Sequence, residues 1–258
     1  MSWPRRLIPW PAAAIGWLAM MPAAWGVSVN PTVVELRGAV GEQGEGAFEV
    51  TNDGTQATTI SVDAEPLAAA YTAHTPSEWL TVNPASFTLQ PGERGQVVYR
   101  VTVPRGAEGE LAAEIVFAQE ADGLQVRFGA ALYLAVEGTE QLRLELEPLS
   151  LRGGTPPVVI VPVSNRGNLH CRPEGEVAIH RAQGDHGVAA HGRLPPGMPA
   201  LPGRTERFFV SMTPDTLPPG PYQLRAQLQC HNAAGLPAAL VGEQVGVLHE
   251  DGRWTSAP

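Results

Sequence analysis

FEVTNDGTQATTISV at residues 48–62 and VIVPVSNRGNLHCRPEGEVAI at 159–179 are written to one plan: a β-branched run, Asn-x-Gly, and a second such run. The plan continues downstream. FTLQPGERGQVVYRVTVP (87–104) follows the first copy and PALPGRTERFFVSMTP (199–214) the second, each a Leu, a Pro-Gly turn, an alternating run and a closing proline. Asn52 to Pro91 is 39 residues and Asn165 to Pro202 is 37; the closing prolines, Pro104 and Pro214, follow 13 and 12 residues later. GELAAEIVFAQEADG (109–123) then parallels GPYQLRAQLQCHNAAG (220–235), so one unit is about 112 residues. A period that long marks a duplicated domain, because solenoid repeats run to roughly 20–50 residues and need stacked neighbours.

Within each unit, apolar runs of strand length alternate with Gly, Pro, Asn and Asp clusters at intervals of about 8–12 residues, the pattern of a β-sandwich. The 28 glycines and 25 prolines fall between those runs as punctuation. Only EPLAAAYTAH (65–74) reads as a helical turn. The fold class expected is therefore all-β, with two tandem immunoglobulin-like sandwiches at 27–138 and 139–250 and a C-terminal tail at 251–258. At each Asn-x-Gly a strand ends, Asn52 or Asn165 bonds its own backbone, Gly supplies a positive φ, and the chain re-enters the sheet.

Residues 1–26 carry Arg5 and Arg6, an apolar stretch from Leu7 to Met21, and small residues at alternate positions around Trp25, which predicts a secretory signal cleaved after Gly26. An uncleaved membrane anchor is the alternative, weakened by Pro9, Pro11 and Pro22. The chain is then exported, to the periplasm or another extracytoplasmic site. Without the signal, 15 basic side chains face 26 acidic ones, which argues against nucleic acid as a partner. The basic residues are all arginine, so lysine nucleophiles and lysine phosphate clamps are excluded. Cys171 and Cys230 in an oxidising compartment predict a disulfide within the second domain.

The first unit resembles the N-terminal immunoglobulin-like domain of PapD-type periplasmic pilus chaperones. VSVNPTVVEL, FEVTNDGTQATTISVDAE, LQPGERGQVVYRVTVP and LQVRFGAALYLAVEG carry the resemblance, and the second unit is similar to bacterial immunoglobulin-like domains, including the C-terminal domain of such chaperones. The resemblance implies a protein that lends the last strand of its first domain to an incomplete exported or pilin-like subunit. Leu124, Val126, Phe128, Ala130, Leu132 and Leu134, continued by Val136, alternate with period two and share one face, so they are the candidate partner-binding strip. Any half-buried strand covering its own core would alternate in the same way. The chaperones' anchoring arginine and lysine fall on Val33 and Tyr133, which cannot neutralise a carboxylate; Arg37 and Arg127 are the nearby cations.

His170-Cys171 and Cys230-His231 invite a zinc reading, but adjacent strand residues point to opposite faces, which favours the disulfide. His180, His186 and His191 lie in a Gly-rich stretch expected as a loop. No Gly-x-Ser-x-Gly elbow or phosphate loop is written, so the expectation is a non-enzyme with no catalytic residue, cofactor or metal. A structural or adhesive surface protein, binding through loops such as 181–201, is the rival to strand addition.

Overall fold

The computed structural model describes residues 26–71, 73–121, 124–184 and 187–257; the expected signal segment and His186 lie outside them. The first sandwich sets one sheet, β1 (Val27–Asn30), β3 (Gln43–Asn52), β7 (Arg94–Thr102) and β5 (Leu80–Asn83), against another. The second sheet runs β2 (Val33–Gly38), β9 (Leu124–Val136), β8 (Glu110–Ala121), β4 (Thr58–Pro66) and β6 (Ser86–Leu89). Phe48, Val97, Ile60, Ile115, Phe117 and Leu132 fill the space between them, each almost completely buried. Among the described residues the one helical turn, α1 (Pro76–Trp79), begins just after the segment expected to carry it; Ala68 and Tyr71 form an ordinary turn instead.

The second sandwich repeats the scheme. β12 (Val158–Asn165) carries β10 (Leu144–Leu146) and β11 (Ser150–Arg152) end to end on one edge and β15 (Arg204–Ser211) along the other. Against it packs the sheet β14 (Val188–Leu194), β13 (Arg172–Arg181), β16 (Gly220–His231), β17 (Ala238–Leu248) and β18 (Trp254–Ser256). Val161, Val210, Ile179 and Leu224 are central to this core. The architecture is two immunoglobulin-like β-sandwiches. The segment 251–257 does not trail free: β18 extends the sheet and Trp254 packs on the core. Nor is the His180–His191 stretch a loop throughout, because β13 and β14 pair across it with His180 and His191 in the ladder.

The duplicated Asn-x-Gly corners have the same hydrogen bonds in both copies. Asn52 Nδ2 donates to the Gln56 and Leu89 carbonyls and its Oδ1 accepts from Gly54 N–H. Asn165 Nδ2 donates to the Leu169 and Ala200 carbonyls and its Oδ1 accepts from Gly167 N–H. In each copy the asparagine carbonyl also accepts, at 2.8 Å, from the glycine of the distant Pro-Gly turn, Gly92 or Gly203. The positive φ belongs to those two glycines, at 74° and 71°, and not to Gly54 or Gly167 as the sequence suggested. Gly167 is needed for another reason: a Cβ there would run into the Gln141 carbonyl. The corner also does not return to its own sheet. It carries β3 across to β4, and β12 across to β13, from one layer of each sandwich to the other.

Cys171 and Cys230 form the disulfide, with Cα atoms 5.6 Å apart. The flanking histidines diverge, His170 towards the first domain and His231 towards Glu174, 2.7 Å from its Nε2, so the two pairs do not converge. Among the described residues no helix is long and apolar enough to cross a membrane.

Candidate functional site: an open strand edge beside a buried junction

Pro31 sets up the site. It follows β1, lacks an N–H, and marks the place where the chain leaves the first sheet and enters the second as β2. β2 therefore runs parallel to β9 only from Val33↔Ala131 to Gly38↔Val136. β8, by contrast, pairs with all of β9, from Ala121↔Leu124 to Glu110↔Ala135. The half of β9 from Leu124 to Ala130 thus has a neighbour on one side, and among the described residues no strand pairs with it on the other. Ala131 N–H already points to the β2 side, where it meets the Thr32 carbonyl at 2.9 Å. By the two-residue repeat of a strand, Gln125, Arg127 and Gly129 present their N–H and C=O groups at the open edge.

All seven alternating residues of β9 do face the sandwich interior, but their cover fades along the strand. Ala130, Leu132 and Leu134 are buried members of the core. Phe128 is partly buried against it, Val126 is half-buried, and Leu124 is 71% exposed. The strip reachable by a second molecule is therefore Leu124, Val126 and Phe128, next to the unpaired backbone.

Where β2 covers β9, the outer face of the same sheet meets the second domain. Tyr133, paired with Glu35 across β2, is buried there with Tyr71 and Ala112, and Leu201 and Ala233 of the second domain pack on them. His170 stacks on Tyr133 at 3.8 Å between ring centres, and the Arg172 guanidinium sits 4.9 Å from the same ring. His170 Nδ1 lies 2.7 Å from Glu110 Oε2, and Nε2 lies 3.0 Å from Glu35 Oε1. Glu110 Oε1 also accepts from the His170 amide and the Tyr71 hydroxyl, and Glu35 Oε1 accepts from Arg172. His170 and Glu110 are fully buried.

Burial opposes a charge on His170, but the hydrogen bonds to Glu110 and Glu35 outweigh it and raise its pKa above the usual 6.5. The hydrogen bond to His170, foremost among the causes, holds Glu35 below its usual 4.5. Two glutamates thus face one histidine and one arginine across the junction. Linkage then gives a pH window. The His170 contribution is complete below pH 6.5 and disappears as pH rises through its raised value; the Glu35 contribution is present above pH 4.5 and disappears as pH falls through its lowered one. Thermal unfolding across that range is expected to show a plateau with losses on both flanks. In His170→Gln the alkaline loss should vanish; a wild-type profile flat through neutral and alkaline pH would contradict the charged imidazole.

Neither sequence-derived substitute for the missing chaperone anchor stands free. Arg37 bonds Glu140 and approaches Glu137 on the segment leading out of the first domain, and Arg127 bonds Glu65. The guanidinium that does reach position 133 comes from Arg172 in the other domain, a residue the sequence did not single out, and it is taken up by Glu35.

No protein-family model matches the chain, and no curated protein matches it. Among solved structures it is similar to the YadV chaperone, at 10% identity over 84% of this chain and 98% of that one, with a TM-score of 0.49. The Pseudomonas aeruginosa CupB2 chaperone gives 13% identity over 83% and 98%, with a TM-score of 0.46. A Salmonella enterica structure of the SafA pilin with the SafB chaperone gives 12% over 85% and 96%, also at 0.46.

Proposed function

We propose that this is an exported, extracytoplasmic chaperone-like protein that binds secreted or pilus-type subunits by β-strand addition to β9. One observation carries the reading: from Leu124 to Ala130, β9 has an edge that no strand among the described residues pairs with, and apolar side chains beside it whose cover runs out towards Leu124. A long, partly apolar, unpaired edge invites pairing with any exposed strand, and proteins ordinarily blunt such edges. Here it is kept. An added strand would gain main-chain hydrogen bonds from Gln125, Arg127 and Gly129 and set alternate side chains over Val126 and Phe128. The buried junction holds the two domains around this edge and its guanidinium, Arg172, is already taken up by Glu35, so the reading rests on the strand itself.

The test mixes the mature chain with subunits exported by the same cell and looks for a one-to-one complex by size-exclusion chromatography. Arg127→Pro removes a donor directed at the open edge while leaving the β8 ladder untouched, and Val126→Arg adds a charge where cover is incomplete. Each is expected to weaken the complex at least about tenfold with circular dichroism unchanged. Full binding by both folded variants would end the proposal.

A further inference from the structure

The outer face of the sheet beside the open edge carries an unbalanced charge. Glu65 on β4 and Glu114 on β8 are directly opposite one another, an unfavourable like-charge pair. Arg127 on β9 reaches over to Glu65 and satisfies it. Glu114 turns the other way. Its side chain crosses diagonally over Gly129, so closely that a Cβ on Gly129 would fall within the carboxylate. Among the described residues the Glu114 side chain has no hydrogen-bond or ion-pair partner, and the residue is half-buried. Asp63 and Glu120 on the same face add to the negative charge, and the nearby Arg127 is already paired with Glu65.

Gly129 is one of the residues whose backbone faces the open edge. A residue of an added strand directly opposite it would project its side chain on the same outer face, beside the Glu114 carboxylate. We propose that Glu114 is a specificity residue: the strand that adds to β9 carries a lysine or arginine opposite Gly129, and its cation pairs with Glu114. Gly129 is the device that permits this, because any side chain there would push the carboxylate off the edge. The inference rests on the strand-addition reading and goes beyond it by naming the charge of the partner strand.

The probe is a set of soluble peptides of alternating valine and threonine with Lys, Met or Glu at each outward position in turn, titrated into the mature full-length protein by fluorescence anisotropy at low and high salt. One lysine position is expected to bind about three- to tenfold more tightly than Met, and Glu more weakly still, with the differences shrinking in high salt. Glu114→Gln should abolish the preference while peptides still bind, and Glu114→Lys should reverse it. Gly129→Ala keeps every charge but displaces the carboxylate, and should blunt the preference as well. Equal binding of all peptides to the wild type, with Arg127→Pro still blocking them, overturns the role of Glu114 and leaves strand addition standing. Binding of none of them overturns both.

Discussion

Replacing His170 with alanine is expected to cost about 3–5 kcal/mol of stability, because it strands a fully buried carboxylate. With the imidazole in place, Glu110 receives a charged hydrogen bond through Oε2 and neutral ones from Tyr71 and a backbone amide through Oε1. Alanine removes that partner and the ring that stacks on Tyr133, leaving the Glu110 carboxyl short of a bond and out of contact with water. Denaturant unfolding followed by separate probes for the two domains would read the loss, since a two-domain chain need not unfold in one step. The loss should appear together with a wider spread of domain orientations in small-angle scattering. Adding Glu110→Gln should recover much of it, as the buried charge is then gone; this non-additivity separates an electrostatic origin from a packing one. Arg172→Ala should cost much less, because Glu35 is partly exposed and water can take over. A loss of under about 1 kcal/mol in His170→Ala would mean that the junction does not depend on this charge.

The duplicated architecture was legible because its turn chemistry is local. Asn52 and Asn165, each followed two residues later by glycine and some 40 residues later by Pro-Gly, announce a repeated corner without any knowledge of the fold. What the corner does was less legible. Whether a strand after a turn returns to its sheet or crosses to the other one depends on which layer needs its apolar face, and no window of sequence contains that. The same limit applies to β9. Its alternation from Leu124 to Val136 fixed a shared face, but the extent of its cover is decided by where β2 begins, and the signal for that was Pro31, about a hundred residues earlier in the chain. The junction was the least legible part. Glu35 and Glu110 occupy outward strand positions where a solvated charge would be equally at home, and His170 stood out only for lying next to a cysteine. Their convergence depends on how the second domain rests on the first. The departure at Tyr133 now has a physical account: an aromatic ring is what His170 and Arg172 pack on.

Because the two corners are copies, Asn52→Ala and Asn165→Ala should have matched effects in different domains. Each asparagine is 1% exposed and makes three side-chain hydrogen bonds, two as donor to carbonyls and one as acceptor from an amide. Alanine leaves those groups short of partners in places water reaches poorly, and a buried orphan costs about 1–3 kcal/mol, so roughly 2–4 kcal/mol per corner is expected after relaxation. The donor bonds to Leu89 and Ala200 also tie each corner to the region of the Pro-Gly turn that delivers the next strand of the same sheet. The damage should therefore reach β7 in one case and β15 in the other. Hydrogen exchange would show this as lost amide protection at Gly92 with the second domain intact for Asn52→Ala, and at Gly203 with the first domain intact for Asn165→Ala. Aspartate is the sharper variant, because it keeps the acceptor and the shape but replaces the donating amide with an acceptor facing two carbonyls. It should be at least as destabilising as alanine at both sites. If one corner tolerates aspartate and the other does not, the two halves share a sequence pattern without sharing the interaction that the pattern encodes.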